Sequence, residues 1–445
     1  MSRPRDPNGG DRTGQREGVP AGAATSAVPA GPGLLLPRTA LLSARGWTAV
    51  AAALLVMVLG VPVAHLVVPE GHALHLSAHH VGLFGKILCY AICALAMDLI
   101  WGYAGILSLG HGLFFALGGY AMGMYLMREI GSDGQYRMPM PDFMVFLNWK
   151  EFPWHWAFSD SFAFQMAMVV VVPGLLAFVF GFFAFRSRIK GVYFSIITQA
   201  LTFAAMLLFF RNETGFGGNN GFTDFKRILG VPLNTPQMRV FLCVLSGVVL
   251  VGFFLIGRAL VHSRFGRVLQ AVRDAESRVM FSGYDPVAYK LAIWTISAVM
   301  CGVAGALYVP QVGIINPSEM SPAASIEIAI WAAVGGRGTL VGPIVGAFFV
   351  NGAKSWFTAA APEVWLFFLG ALFIAVTLFL PRGLVGLWEL AMARVTGRGA
   401  AEPPPAPVAP AQPSASGASS TASAAPSATA APGAAAPREA KGQVA

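Results

Sequence analysis

AFQMAMVVVVPGLLAFVFGFFAF, residues 163–185, contains no charged side chain and is followed at once by Arg186, Arg188 and Lys190. At ~1.5 Å of rise per residue, about 20 such residues in a helix cross the ~30 Å hydrocarbon layer of a bilayer. Comparable runs recur at roughly 47–68, 81–101, 106–127, 192–210, 238–260, 287–309, 340–358 and 364–381, with a shorter one at 323–335. Of the 445 residues, 56% are hydrophobic and 11% charged. The expected fold class is all-α, a polytopic transmembrane helical bundle of about eight to ten helices.

The net charge of +9 could suggest a nucleic-acid partner. Membrane topology accounts for it instead, because Lys and Arg accumulate on cytoplasmic loops. Alternating sides from a cytoplasmic start puts Arg186, Arg188 and Lys190 inside, then Arg258, Arg264, Arg267, Arg273, Arg278 and Lys290, and finally Arg382, Arg394 and Arg398. Both termini are then cytoplasmic, and no nucleic acid is expected. Cys89, Cys93, Cys243 and Cys301 all lie in apolar runs, which supports neither a disulfide framework nor a metal site. Residues 1–46 and the Ala/Pro/Ser-rich 397–445 cannot bury a core and read as disordered tails around a membrane domain at 47–390. The apolar run after residue 46 is long for a signal peptide and reads as a retained first helix.

Glycine-rich stretches that might cradle a nucleotide fail on spacing. An Ala separates Gly352 from Lys354, and in Gly215–Gly221 the dinucleotide pattern puts Asn220 where its third Gly belongs. No paired nucleophile and base stand at credible spacing, so neither an enzyme nor a cofactor is expected. The run at 323–335 is short and broken by Gly335-Gly336-Arg337-Gly338, the kind of interruption that lines a pathway in transporters. Gly119-x-x-x-Gly123 and Gly342-x-x-x-Gly346 allow close helix approach, within one subunit or between two.

Residues 263–286 form the most informative cytoplasmic loop. Val268, Val272, Ala275 and Val279 make one stripe, while Gln270, Arg273, Asp274 and Ser277 face away, so a short amphipathic helix is expected, stopped by Gly283. Such a helix can rest on lipid headgroups or dock on another subunit. Farther along the chain, Asp98, Ser108, His111 and Glu327 stand in apolar surroundings, where polar groups are costly and face a bundle interior or a cavity. The polar loops at 212–224 and 313–321 suit recognition as well as ordinary connection.

Five blocks then carry a family resemblance: DLIWGYAGILSLGHGLFFALGGYAMGMYLM, FFRNETGFGGNNGFTDF, GRVLQAVRDAESRVMFSGYDP, GALYVPQVGIINPSEMSP and IWAAVGGRGTLVGPIVGAFFVNGAKSWF. Over about residues 80–390 the chain resembles the LivM-type permeases of branched-chain amino acid ABC importers, most closely their urea-transport branch. RNETGFGGNNGF, YVPQVGIINPSEMSP and GGRGTLVGP look like that branch, and Thr339 stands where the broader family usually has Ser.

The resemblance implies a subunit of the bacterial inner membrane paired with a second, LivH-like permease. It also implies two ATPase subunits that use ATP and Mg, and a periplasmic urea-binding protein. It gives residues 266–282 a coupling role, with Arg267, Arg273, Asp274, Glu276, Arg278 and Gly283 as the coupling residues. It names no residue that touches urea. A narrow path for this small neutral molecule calls for hydrogen-bonding side chains, and Ser108, His111, Asn219, Asn220 and Glu327 are the candidates. The rival readings are the same importer with branched-chain amino acids or short amides as cargo, or a passive urea channel or secondary transporter.

Overall fold

The computed structural model describes residues 44–396 except 70, 73, 190, 362 and 380–382. The expected tails at 1–46 and 397–445 lie almost wholly outside the described residues. The chain divides into Met1–Met392 and Ala393–Ala445, and the first of these units is described below. Its helices are α1 (Ala44–Leu55, carried on by π turns to Val67), α2 (Ala78–Asp98, with a π turn to Tyr103), α3 (His111–Ile130), α4 (Asp142–Phe146), α5 (Phe162–Arg186), α6 (Val192–Phe209) and α7 (Pro236–His262). There follow α8 (Arg264–Phe281), α9 (Pro286–Val312), α10 (Pro322–Gly335), α11 (Val341–Ala360), α12 (Trp365–Phe379) and α13 (Gly383–Thr396).

The helix starts are written in the sequence. Thr235, Asp285 and Ser321 each cap a helix with a side-chain oxygen and are each followed by a proline in the first turn, at α7, α9 and α10. Among the described residues six helices are long and apolar enough to cross a membrane: Gly46–Val67, Ala78–Tyr103, Phe162–Arg186, Val192–Phe209, Pro236–His262 and Pro286–Val312. α5 shows how they pack. Its buried side is built from small residues, Gly174, Ala177, Gly181 and Ala184, while Leu175, Phe178 and Phe183 are exposed. In lipid this is the stable arrangement, because close backbone approach drives association and large side chains meet acyl tails.

α3 and α9 form the central crossing, with α5 and α2 against them. Gly118 of α3 faces the Gly302 backbone and Gly305 of α9 faces the Phe115 carbonyl, each too close for any Cβ. The two small-residue motifs pack inside this chain. Gly119 and Gly123 receive Val309, Ile315 and Phe222, and Gly342 and Gly346 lie against Gly335 and Trp331.

Two interruptions depart from a bundle of simple spans. The run expected as a helix over 106–127 begins only at His111, and residues 105–110 are not helical. Gly105, at φ +72°, turns the chain out of α2. The segment then climbs into the bundle, because the His111 ring meets Ser297, ~16 Å along α9 from Pro286 at ~1.5 Å per residue. The second interruption follows α9. Ile314–Ile315 pairs antiparallel with Phe222–Thr223 of the outer loop, Pro317–Met320 makes a 3-10 turn, and the 14-residue α10 starts inside the bundle. At ~21 Å, α10 is too short to span.

Substituting Leu for Gly118 drives a side chain into the Gly302 backbone. Its cost should reach the overpacking range of about 1–3 kcal/mol or beyond and greatly reduce membrane accumulation. Gly82→Ala, in open space, should accumulate normally, as quantitative blotting of membrane fractions can check.

Candidate functional site

The non-helical segment survives in an apolar bundle because side chains from elsewhere meet its backbone. Ser195 Oγ donates to the Leu107 carbonyl at 2.8 Å, the Leu109 N–H donates to Thr198 Oγ1 at 3.1 Å, and Thr202 Oγ1 reaches the Leu109 carbonyl at 3.5 Å. These three residues make one face of α6 a ladder of hydroxyls. Within the segment the Gly110 N–H donates to Ser108 Oγ at 3.1 Å, which gives that buried hydroxyl a capping task. The N-termini of α3 and α10 meet where the Gly112 N–H donates to Ser325 Oγ at 3.0 Å. His111 is fully buried, edge-on to Trp294 and Phe114, with Nε2 3.2 Å from Ser297 Oγ.

Beside this junction lies a cavity of about 320 Å³ between α2, α3, α10, α11 and the 316–321 segment. Of the five residues expected along a substrate path, Glu327 alone lines it. Ser108 and His111 are packed into the bundle, and Asn219 and Asn220 are exposed on the 218–220 turn of the outer loop. The cavity is more highly charged than the sequence reading expected, with Lys86, Glu319, Glu327 and Lys354 all on its wall. Lys354 Nζ donates to both carboxylate oxygens of Glu327, at 3.0 and 2.9 Å. Tyr308 donates its hydroxyl to Glu319 Oε1 at 3.2 Å, and the Lys86 ammonium stands over the Tyr90 and Tyr308 rings, 5.6 and 5.9 Å from their centroids. A signal for Lys354 was present in the sequence, since it is the single charge of α11, whereas Lys86 shares α2 with Asp98.

α8 forms as expected but is broken at Ala275, whose φ of −154° and ψ of 69° are not helical. Leu269, Val272 and Val279 are buried against the bundle. Arg273, expected to face away, instead donates from Nη1 to the Gly102 carbonyl at 2.7 Å, with its stem against Gly105. Glu276 accepts from Lys290 at 2.7 Å, tying α8 to α9. Arg267, Asp274, Arg278 and Gly283 are exposed, as is Phe281, at 92%. Next to Gly102, the Asp98 carboxylate accepts from the backbone N–H groups of Gly338 and Leu340 and so holds the turn between α10 and α11. One chain of contacts therefore runs from α8 through the end of α2 to the base of α10.

Residues 80–377, which include every element of this site, match the family described as "Branched-chain amino acid transport system / permease component". The chain belongs to this family. The high-affinity branched-chain amino acid permease protein LivM of Salmonella typhimurium is 23% identical over 360 residues, covering 76% of this chain and 77% of that protein. LivM of Escherichia coli K12 is 23% identical, covering 73% and 74%. The permease protein BraD of Pseudomonas aeruginosa is 24% identical, covering 68% and 92%. No solved structure matches the chain. The permease is thus a multi-pass membrane subunit of an importer of the branched-chain amino acid type.

Removing the Asp98 carboxylate leaves two backbone donors without an acceptor, at about 1–3 kcal/mol each. Asp98→Ala should lower the thermal midpoint of the detergent-purified permease by several degrees, and Asp98→Asn, which keeps one oxygen, by less. Asn219→Ala, on the exposed turn, should leave the midpoint in place.

Proposed function

We propose that the permease carries urea inward as one membrane subunit of an ATP-driven, binding-protein-dependent importer. One observation carries the choice of cargo: of the blocks that look like the urea-transport branch, YVPQVGIINPSEMSP contributes directly to the cavity wall, and the 211–222 block is joined to it by strand pairing. The outer loop at 211–222 leads into Phe222–Thr223, which pairs with Ile314–Ile315, and the next residues, Asn316, Ser318, Glu319 and Ser321, form part of the cavity wall. One block that looks like the urea branch thus supplies part of the polar interior, at Asn316, Ser318, Glu319 and Ser321. That wall carries two cations and two carboxylates, so its formal charge balances and suits a neutral solute rich in hydrogen-bonding groups.

A second, LivH-like permease completes the path, two cytoplasmic ATPases power it, and a periplasmic binding protein delivers urea to the outer loops. Both termini of this subunit are cytoplasmic. ATP-driven closure of the ATPases displaces α8, where Phe281, Arg267 and Arg278 offer an exposed docking surface. Arg273 and the Glu276–Lys290 pair pass the displacement to α2 and α9. The energy for alternating access comes from the partners' differential contacts in the two states.

Deleting the gene should abolish uptake of micromolar labelled urea by nitrogen-starved cells, and the restored gene should recover it in the presence of excess leucine. Loss of leucine uptake with urea uptake unchanged would instead assign the permease to branched-chain amino acids. Urea uptake that persists without the ATPases would point to a passive channel. Arg273→Glu strands the Gly102 carbonyl at about 1–3 kcal/mol, too little to unfold a protein stable by about 5–15 kcal/mol. The variant should therefore accumulate in the membrane and assemble, yet hydrolyse ATP without import, as paired uptake and ATPase assays on membrane vesicles would show.

A further inference from the structure

One cation on the cavity wall, Lys86, has no carboxylate within ion-pair distance among the described residues. Lys354 is chelated by Glu327, and Lys290 is bound by Glu276. Lys86 lies ~12 Å along α2 from its first residue, and among the described residues its contacts are the faces of Tyr90 and Tyr308. Ring faces attract an ammonium but accept none of its three N–H bonds in the way an oxygen does. Across Tyr308 from it stands Glu319, with one carboxylate oxygen on the Tyr308 hydroxyl and further acceptor capacity. An unused donor and an acceptor thus stand on one wall of a cavity large enough for a small solute.

We infer that Lys86 and Glu319 are the cargo-recognition pair of this subunit, Lys86 Nζ donating to the carbonyl oxygen of a small amide and the Glu319 carboxylate accepting its N–H. The cargo assignment rests on the urea reading above, but the pair does not. A zwitterionic amino acid would place its carboxylate on Lys86 and its ammonium on Glu319. The Glu327–Lys354 pair, each partner satisfied by the other, leaves recognition to the first two residues.

The test uses the full-length chain with its own partners in cells that lack the chromosomal copy, measuring initial uptake of labelled urea and of labelled leucine. Lys86→Met should lower urea uptake by roughly tenfold or more, the worth of a hydrogen bond to a charged group. Glu319→Gln should lower it less, and Lys86→Arg should recover part of the loss. The amount of assembled complex and its unfolding temperature should stay as in the parent for all three variants. Urea uptake by Lys86→Met at the parental rate would overturn the inference. So would an equal loss in Lys86→Met and Lys86→Arg that tracks a lower unfolding temperature, which would mark a purely structural cation. If the parent imports leucine and no urea, and Lys86→Met abolishes that import, the recognition pair stands and the urea reading falls.

Discussion

The structure depends on one constraint: backbone that leaves the helix inside a membrane needs hydrogen-bond partners, and lipid offers none. Residues 105–110 break a continuous span, and their partners come from Ser195, Thr198 and Thr202 on α6. Gly112 is met by Ser325 on α10, and Gly102 by Arg273 on α8. Each stranded group would cost about 1–3 kcal/mol, so the set together is comparable to the whole stability of an ordinary domain. The bundle therefore has to assemble α6, α8 and α10 around this segment before the segment is tolerable. The same requirement brings two helix N-termini together deep in the protein and opens the cavity beside them.

Much of this was legible in the sequence. Apolar runs located the long helices to within a few residues, since hydropathy over about 20 positions is a strong signal. Polar and apolar spacing located α8, and the shortness of 323–335 marked α10. What hydropathy could not see was the break at 105–110. Leu and Ile continue through it, and only Gly105 and Gly110 mark it, while the hydroxyls that stabilise it lie about 90 residues away in sequence. Ser108 and His111 looked like pathway residues for the reason that makes them structural: a polar group among apolar ones must have a partner, and the sequence does not say whether that partner is cargo or protein. Lys86 and Lys354 were missed because one charge near the end of an apolar run reads as a marker of the membrane boundary, and Glu319 because its polar loop at 313–321 reads equally as an ordinary connection. Only the fold shows that all three share a cavity with Glu327.

Arg273 shows how a local pattern can be correct while its consequence differs. Its place on the polar face of α8 followed from the spacing, yet the side chain reaches back to the Gly102 carbonyl because Gly105, lacking a Cβ, leaves room for its stem. A group that seemed free to meet a partner is instead tied to the end of α2. Gly102 adjoins Asp98, and Asp98 holds the turn at Gly338 and Leu340. A shift of α8 therefore bears at once on the end of α2 and on the base of α10, whose opposite end borders the cavity.

Charge placement completes the physical case for a path. An isolated charge within a membrane bundle is costly, up to about 2.5–3.5 kcal/mol at the bilayer centre by insertion scales, so four on one cavity wall need a reason to be there. One pair, Glu327 and Lys354, removes most of its own cost by chelation. Lys86 and Glu319 share only Tyr308 and leave hydrogen-bonding capacity unspent. A purely structural cluster would gain by closing that second pair into a salt bridge, and the fold holds the two apart. Water or a passing solute must then complete their bonds, and a wall with balanced charge binds such a solute without trapping an ion.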